Sequence, residues 1–383
     1  MKDIHWIRRE EPGLAANLLY SRQTGEMLLM DSACEIESPA STIQIASQAP
    51  PCAGALTAPL KVFFGLTREC DLDCPMCFAK HRHEYQMPLT ITVVDRIMEE
   101  LAGMGVLEVR FTGGEPTLFP GFFDLVTRTD ERGMNVSINT HGVYSAQKLR
   151  RLADAAVREF NISLDGPALI HDVLRGAGAF DRTVHTIRVL REAGKSVRIN
   201  TMLFRDNIYY LKKMLILAES LGVGIRFCPI RSIGSRQARI FSSAHALSQS
   251  QWEQAKEQLR QMAKDASVPI FYMSNAEIED WEDCFGSAVG LEKAKCSAWL
   301  SQLGIDPEGD VYSGGCIDDL PKSLSVGSVL ELSMHDLWER SIRDTHDRLI
   351  QKFPHCVACN TAELWSQWRE QTQTVWTRSN HLY

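Results

Sequence analysis

The chain has no run of about 20 apolar residues such as a membrane-spanning helix needs. Its first residues, MKDIHWIRREEPG, carry charges where an export signal would have an apolar segment, so we expect a cytoplasmic protein that does not enter a membrane. An excess of positive charge is also missing. Lys and Arg number 41 against 48 Asp and Glu, a net charge of −7, so nothing draws the whole chain to nucleic acid. There is no internal repeat. With 44% hydrophobic and 23% charged residues over 383 positions, disorder is excluded, and the length suits one large α/β domain with appendages or two ordinary domains.

Cysteine, by contrast, is abundant. Eleven residues, an odd number without an export signal, point to metal ligands or redox groups rather than a disulfide framework. Seven fall into two groups with ligand-like spacing: Cys70, Cys74 and Cys77, then Cys296, Cys316, Cys356 and Cys359. Cys34, Cys52, Cys228 and Cys284 are left over.

Residues 1–36 contain a hairpin pattern, NLLYS and EMLLMD around RQTGE, and form a small N-terminal β element. Residues 37–59, rich in Ser, Ala, Pro and Gly, read as a linker. Over 60–245, six β-rich runs (60–66, 107–112, 134–139, 159–164, 197–203 and 224–229) alternate with helical patterns such as ITVVDRIMEELAGMG and NIYYLKKMLILAESLG. Such alternation makes parallel strands with helical crossovers, in an open sheet or a barrel with fewer units than a closed eightfold one. Residues 246–295 form a connector with the amphipathic SQSQWEQAKEQLRQMAKDA and the strand-like VPIFYM, and 296–383 a second, smaller module.

The segment Cys70-Asp-Leu-Asp-Cys74-Pro-Met-Cys77 follows the first of these strands, on the rim where α/β folds build their sites. A structural zinc wants four closed ligands; no fourth Cys is near, although His81 and His83 are. Three thiolates on a cubane cluster leave one iron open. This C-x3-C-x2-C resembles the signature of the radical SAM superfamily, over residues 60–230. The resemblance implies an α/β fold, a partial (β/α)6 barrel. It also implies a 4Fe-4S cluster whose open iron binds S-adenosylmethionine, and reductive cleavage of that cofactor to a 5′-deoxyadenosyl radical that abstracts a hydrogen atom from substrate. An external one-electron reductant such as flavodoxin or ferredoxin is then a partner. The family often has an aromatic residue before the third Cys; here Met76 stands there, with Phe78 after the Cys, as the candidates for adenine contact.

Thr112-Gly113-Gly114-Glu115-Pro116 ends the second strand. Alone it would be a glycine turn. On the same rim, two glycines permit close backbone approach and Glu115 can accept from an ammonium, and Gly113, Gly114 and Glu115 resemble the family's GGE motif, which holds the methionyl amino group. Asn139 ends the third strand and Ser163 the fourth; they are candidates for ribose or carboxylate contacts, against a reading as helix caps. SLDG followed by His171-Asp172 and Arg175 resembles members carrying auxiliary clusters. Arg175 is a candidate partner of the cofactor carboxylate or a member of a surface ion pair.

Between Cys296 and Cys316, LGIDPEGDVYS reads as a hairpin, and Cys356-Val-Ala-Cys359 has the spacing that grips one metal or cluster. By spacing alone, zinc, a redox pair and an iron–sulfur cluster all fit. The arrangement resembles the SPASM/Twitch extension of radical SAM enzymes, which implies an auxiliary 4Fe-4S cluster, with Cys284 as a competing ligand. Cys228 and Cys284 are either small core thiols or hydrogen donors to a substrate radical. The expected function is oxidative modification of a peptide or protein, such as crosslinking. Dehydrogenation or epimerisation of a small aminocyclitol- or sugar-like molecule, and a non-catalytic metal or redox-sensing scaffold, stand as alternatives.

Overall fold

The computed structural model describes residues 6–14, 16–23, 27–31, 42–45, 55–79, 88–230, 236–272, 301–314 and 322–352. Strands β1 (Trp6–Glu11), β2 (Ala16–Ser21), β3 (Met27–Asp31) and β4 (Thr42–Ile45) form a sheet in the order β3-β2-β1-β4. The expected hairpin is β2–β3. Part of the segment read as a linker is instead β4, which pairs in parallel with β1; its TIQI becomes a strand through that pairing, which the flanking Ser and Ala hide. Arg9 fixes this sheet to the main body. Its buried guanidinium donates to the carbonyls of Gly105 and Ala58 at 2.8 and 3.0 Å and pairs with Glu11 at 2.5 Å.

All six expected barrel strands are present: β5 (Lys61–Thr67), β6 (Glu108–Gly113), β7 (Asn135–Thr140), β8 (Glu159–Ser163), β9 (Ser196–Leu203) and β10 (Gly224–Pro229). They lie side by side in parallel. The crossover helices are α1 (Ile91–Gly103), α2 (Phe122–Glu131), α3 (Ala146–Asp154), α4 (Ala168–Arg175), α5 (Ala179–Glu192) and α6 (Leu211–Leu221). In α1, Thr90 caps the first turn and Val94, Ile97, Met98 and Leu101 bury one stripe against the sheet. Helix α7 (Arg236–His245) and α8 (Gln249–Asp265) lead to β11 (Ile270–Tyr272), which pairs in parallel with β10.

The C-terminal hairpin, β12 (Gln302–Ile305) with β13 (Asp310–Ser313), does not stand apart from the barrel. Strand β12 adds in parallel to β5, so one ten-stranded sheet runs β11-β10-β9-β8-β7-β6-β5-β12-β13-β14, ending at β14 (Gly327–Ser328). It is an open barrel. Helix α9 (Met334–Lys352) closes the end, with Trp338 buried and donating to the Leu56 carbonyl at 3.2 Å.

Alternation along the strands separates two faces. Val62, Phe64, Val109, Phe111, Ile138, Ile162, Ile199 and Phe227 join the core under the helices. The opposite face is polar. Near the strand starts, Glu159 accepts from Arg110 at 2.8 Å and from Arg198 at 3.0 Å, while Glu108 pairs with Lys61 at 2.7 Å. These ions close the floor of the barrel beneath the rim.

Candidate active site at the strand ends

The loop after β5 carries the first cysteine group. Cys74 is buried and Cys70 and Cys77 are half-buried, all three free thiols. The Cys77 amide donates to the Cys74 carbonyl at 3.1 Å, a turn that folds the segment back. Cys74 and Met76 pack with Leu174, Phe204 and Ile230 in a small core beyond the rim, whereas Phe78 is 38% exposed. Burial pushes the Cys70 thiol up to about 12. Thiolates in such surroundings need a cationic centre to hold their charge, which is what an iron–sulfur cluster supplies. The donor set fits that group.

Gly113 and Gly114 lie against this loop. Gly114 N donates to the Thr67 carbonyl at 2.6 Å and Glu115 N to the Glu69 carbonyl at 2.7 Å. A Cβ on Gly113, whose φ is +120°, would stand 2.4 Å from the Thr67 oxygen. The glycines admit the cysteine loop's own backbone, a role that sequence reasoning had given to a ligand's approach.

Glu115 is 1% exposed, and donors surround its carboxylate. Thr117 Oγ1 and Tyr144 OH reach Oε1 at 2.8 and 3.2 Å; Thr140 Oγ1 and His141 Nε2 reach Oε2 at 2.7 and 3.2 Å. Thr140 and Tyr144 also bond each other. His141 Nδ1 accepts from Val143 N at 2.9 Å, so its proton sits on Nε2, which also lies 2.8 Å from Asp71 Oδ1 in the cysteine loop. That hydrogen bond holds the Asp71 carboxyl below the usual carboxylate range. Sequence reasoning missed Asp71, His141 and Tyr144. The one available signal was THG at the end of the third strand, level with GGEP on the second.

Arg175 is not in the surface ion pair that was one reading of it. Its Nε donates to the buried Asp165 at 2.6 Å, and this is no surface pair. Burial opposes its charge, but Asp165 and the nearby Cys74 and Cys77 more than offset that, so its pKa rises above the ordinary guanidinium value. It sits beside the thiol loop. Asn139 and Asn200 each hold a buried side-chain oxygen with no partner among the described residues, on the same polar face. Ser163 lies opposite Asn200 in register. Two orphan acceptors at the rim suit the hydroxyls of a ribose-bearing cofactor.

Cys228 on β10 shares the polar, half-buried row of Arg226, not the core row of Ile225 and Phe227. Cys228 is thus half-buried on the sheet face opposite the core row. Cys284, Cys296, Cys316, Cys356 and Cys359 lie outside the described residues, as do His81 and His83.

The family model of the radical SAM superfamily matches residues 65–217. Mycofactocin maturase MftC of Mycobacterium ulcerans is 30% identical over 79% of this chain and 81% of its own length. The PqqA peptide cyclase of Rhodopseudomonas palustris is 34% identical over 43% of this chain and 44% of its own. Among solved structures, Streptococcus suis SuiB bound to precursor peptide SuiA superimposes with a TM-score of 0.67 at 16% identity, covering 88% of each chain.

Proposed function

This chain belongs to the radical SAM superfamily, and we propose that it is a peptide-modifying member whose substrate loses two hydrogens in forming a new bond. As a member it is an enzyme that uses a 4Fe-4S cluster and S-adenosylmethionine. When bound, these groups supply a carbon-centred radical that takes one hydrogen atom from the substrate. The observation that carries the cofactor reading is the docking of Gly113-Gly114-Glu115 on the cysteine loop through two backbone hydrogen bonds.

Each residue then has a stated task. Cys70, Cys74 and Cys77 hold the cluster, with Met76 and Phe78 flanking the third thiol. Glu115, its carboxylate fixed by Thr117, Thr140, His141 and Tyr144, takes the methionyl ammonium. Asn139 and Ser163 face the ribose, as does Asn200. Arg175, neutralised by Asp165, keeps a guanidinium beside the thiols for a carboxylate. The buried ions of the floor and the packed helices shut water out from below. Peptide as substrate class is supported by likeness to a peptide cyclase and to an enzyme bound to its precursor peptide.

A two-hydrogen loss requires that a second electron and a proton leave the substrate after the first hydrogen atom. Cys296, Cys316, Cys356 and Cys359 are proposed to hold the accepting auxiliary cluster, with a one-electron donor protein serving the first site. The competing outcome is donation of a hydrogen atom by Cys228, which its place on the sheet face opposite the core row favours, or by Cys284. Anaerobic incubation with S-adenosylmethionine, dithionite and a candidate peptide substrate separates them. A product two hydrogens lighter is expected. A product of unchanged mass in ordinary water that gains one deuterium at carbon in heavy water, lost in Cys228→Ala, would replace oxidation by epimerisation.

A further inference from the structure

One side chain joins the two ends of the cysteine loop. Arg68, 5% exposed and two residues before Cys70, donates through Nη1 to the carbonyl of Ala79, two residues after Cys77, at 3.2 Å. The guanidinium thus spans the mouth of a loop that carries all three thiols. The same guanidinium also reaches the C-terminal hairpin. Nε and Nη2 donate to the two carboxylate oxygens of Glu308 at 3.0 and 2.5 Å, a forked pair.

Glu308 belongs to the turn between β12 and β13, which is firmly built. Asp306 Oδ1 accepts from the amides of Glu308 and Asp310 at 3.0 and 2.9 Å, and Gly309 closes the turn at φ +90°. Pro307 stands over Gly65 of β5, where a Cβ would lie 2.8 Å from the proline ring. A rigid turn therefore presents Glu308 to Arg68, seated on the strand from which the cysteine loop springs.

We propose that Arg68 and Glu308 form a clamp through which the C-terminal hairpin holds the cysteine loop closed, making Glu308 a positioning residue for the first cluster. The inference rests on the reading that Cys70, Cys74 and Cys77 hold that cluster. Arginine suits the place because its planar fork can donate to a carbonyl and to a carboxylate at once, which an ammonium does less well. Without Glu308 a buried guanidinium would lose its forked carboxylate partner, and the loop mouth its tie to the hairpin. The hairpin is also the segment between Cys296 and Cys316, so the clamp ties the folding of that segment to closure of the first site.

The first readout uses metal-free full-length protein and the rate at which each thiol is alkylated, resolved by mass spectrometry. In Glu308→Ala, Cys70 and Cys77 should react about tenfold faster, the order expected for a mostly buried pair with one partly exposed member. Glu308→Gln, which keeps an acceptor, should fall between. Arg68→Ala combined with Glu308→Ala should be no faster than Arg68→Ala alone, since both remove one clamp. Cys228 in the same sample reports global unfolding and should be unaffected. Iron retained after anaerobic reconstitution should fall in Glu308→Ala, and the perturbed spectrum of the reduced cluster should recover toward the parent in Glu308→Gln. Unchanged alkylation of the loop thiols, or equal acceleration at Cys228, overturns the clamp. Failure of the underlying reading shows differently: iron content would then be insensitive to replacing Cys70, Cys74 and Cys77.

Discussion

The carbonyl oxygen of Glu69 lies 2.1 Å from the point where a Cβ on Gly114 would stand. The strand end that carries Glu115 and the loop that carries the thiols are in backbone contact, so neither can shift without the other. Gly114→Ala forces them apart by a clash with main chain, which no rotamer relieves, at a cost of about 1–3 kcal/mol for overpacking of this kind. We expect an otherwise folded barrel that loads markedly less iron. Circular dichroism with iron analysis on one sample checks this; normal iron with normal helix content would show that the contact is dispensable.

Glu115→Gln removes the charge and keeps the shape. Loss of a charge-assisted hydrogen bond costs about 1.5–3 kcal/mol, so S-adenosylmethionine should bind about tenfold to a hundredfold more weakly while iron content holds. Glu115→Ala is a worse probe, because it also strips the acceptor from Thr117, Thr140 and Tyr144. Isothermal titration under anaerobic conditions gives the affinity, and an unaltered value returns Glu115 to a purely structural role.

The six barrel strands were legible because each buries alternate apolar residues under a helix, and that pattern is local. Strand β4 and the joining of β12 to β5 were not, because both depend on pairing partners far along the chain that leave no periodic mark. Helix α4 was hidden as well: PALIHDVLRG is short, and its His171 and Asp172 drew attention as a motif instead of a helix face. At the site, the cysteines and Gly113-Gly114-Glu115 stood out through their spacing. The groups around Glu115 did not, since Thr140, His141 and Tyr144 reach it only where separate strand ends converge, and Asp71 joins them through His141.

The barrel floor should be costly to disturb. Glu159 is the shared acceptor of Arg110, Arg198 and Asn161, and although burial opposes its charge, Arg198 and Arg110 hold its pKa below the usual carboxylate value. Glu159→Gln leaves two buried guanidinium groups with too little negative charge, and breaking such a pair costs about 3–5 kcal/mol. The urea midpoint should drop accordingly. Affinity for S-adenosylmethionine should stay near the parent value, because the strand starts lie at the opposite end from the thiol loop.

Asp306 gives a prediction in pH. Burial, reinforced by Glu308 and resisted by the Asp310 amide and Arg68, pushes its carboxyl up to about 7. Tyr312 OH also faces it, at 3.3 Å. Between about pH 4 and pH 7 the folded chain therefore keeps a proton that the unfolded chain has released, so this group lowers stability as pH rises through that window, with no further change above it. Asp306→Asn keeps the Oδ1 acceptor for the amides of Glu308 and Asp310 and cannot ionise. Other carboxylates titrate in the same range, and the informative quantity is the difference between variant and parent. That difference should favour the variant by about 1.4 kcal/mol per unit across the window, as an upper bound for one proton. Denaturant unfolding at pH 4.5 and pH 8 (values chosen to bracket about 4–7) measures it, and a difference that does not grow with pH would mean that Asp306 is already ionised in the folded hairpin at the lower pH.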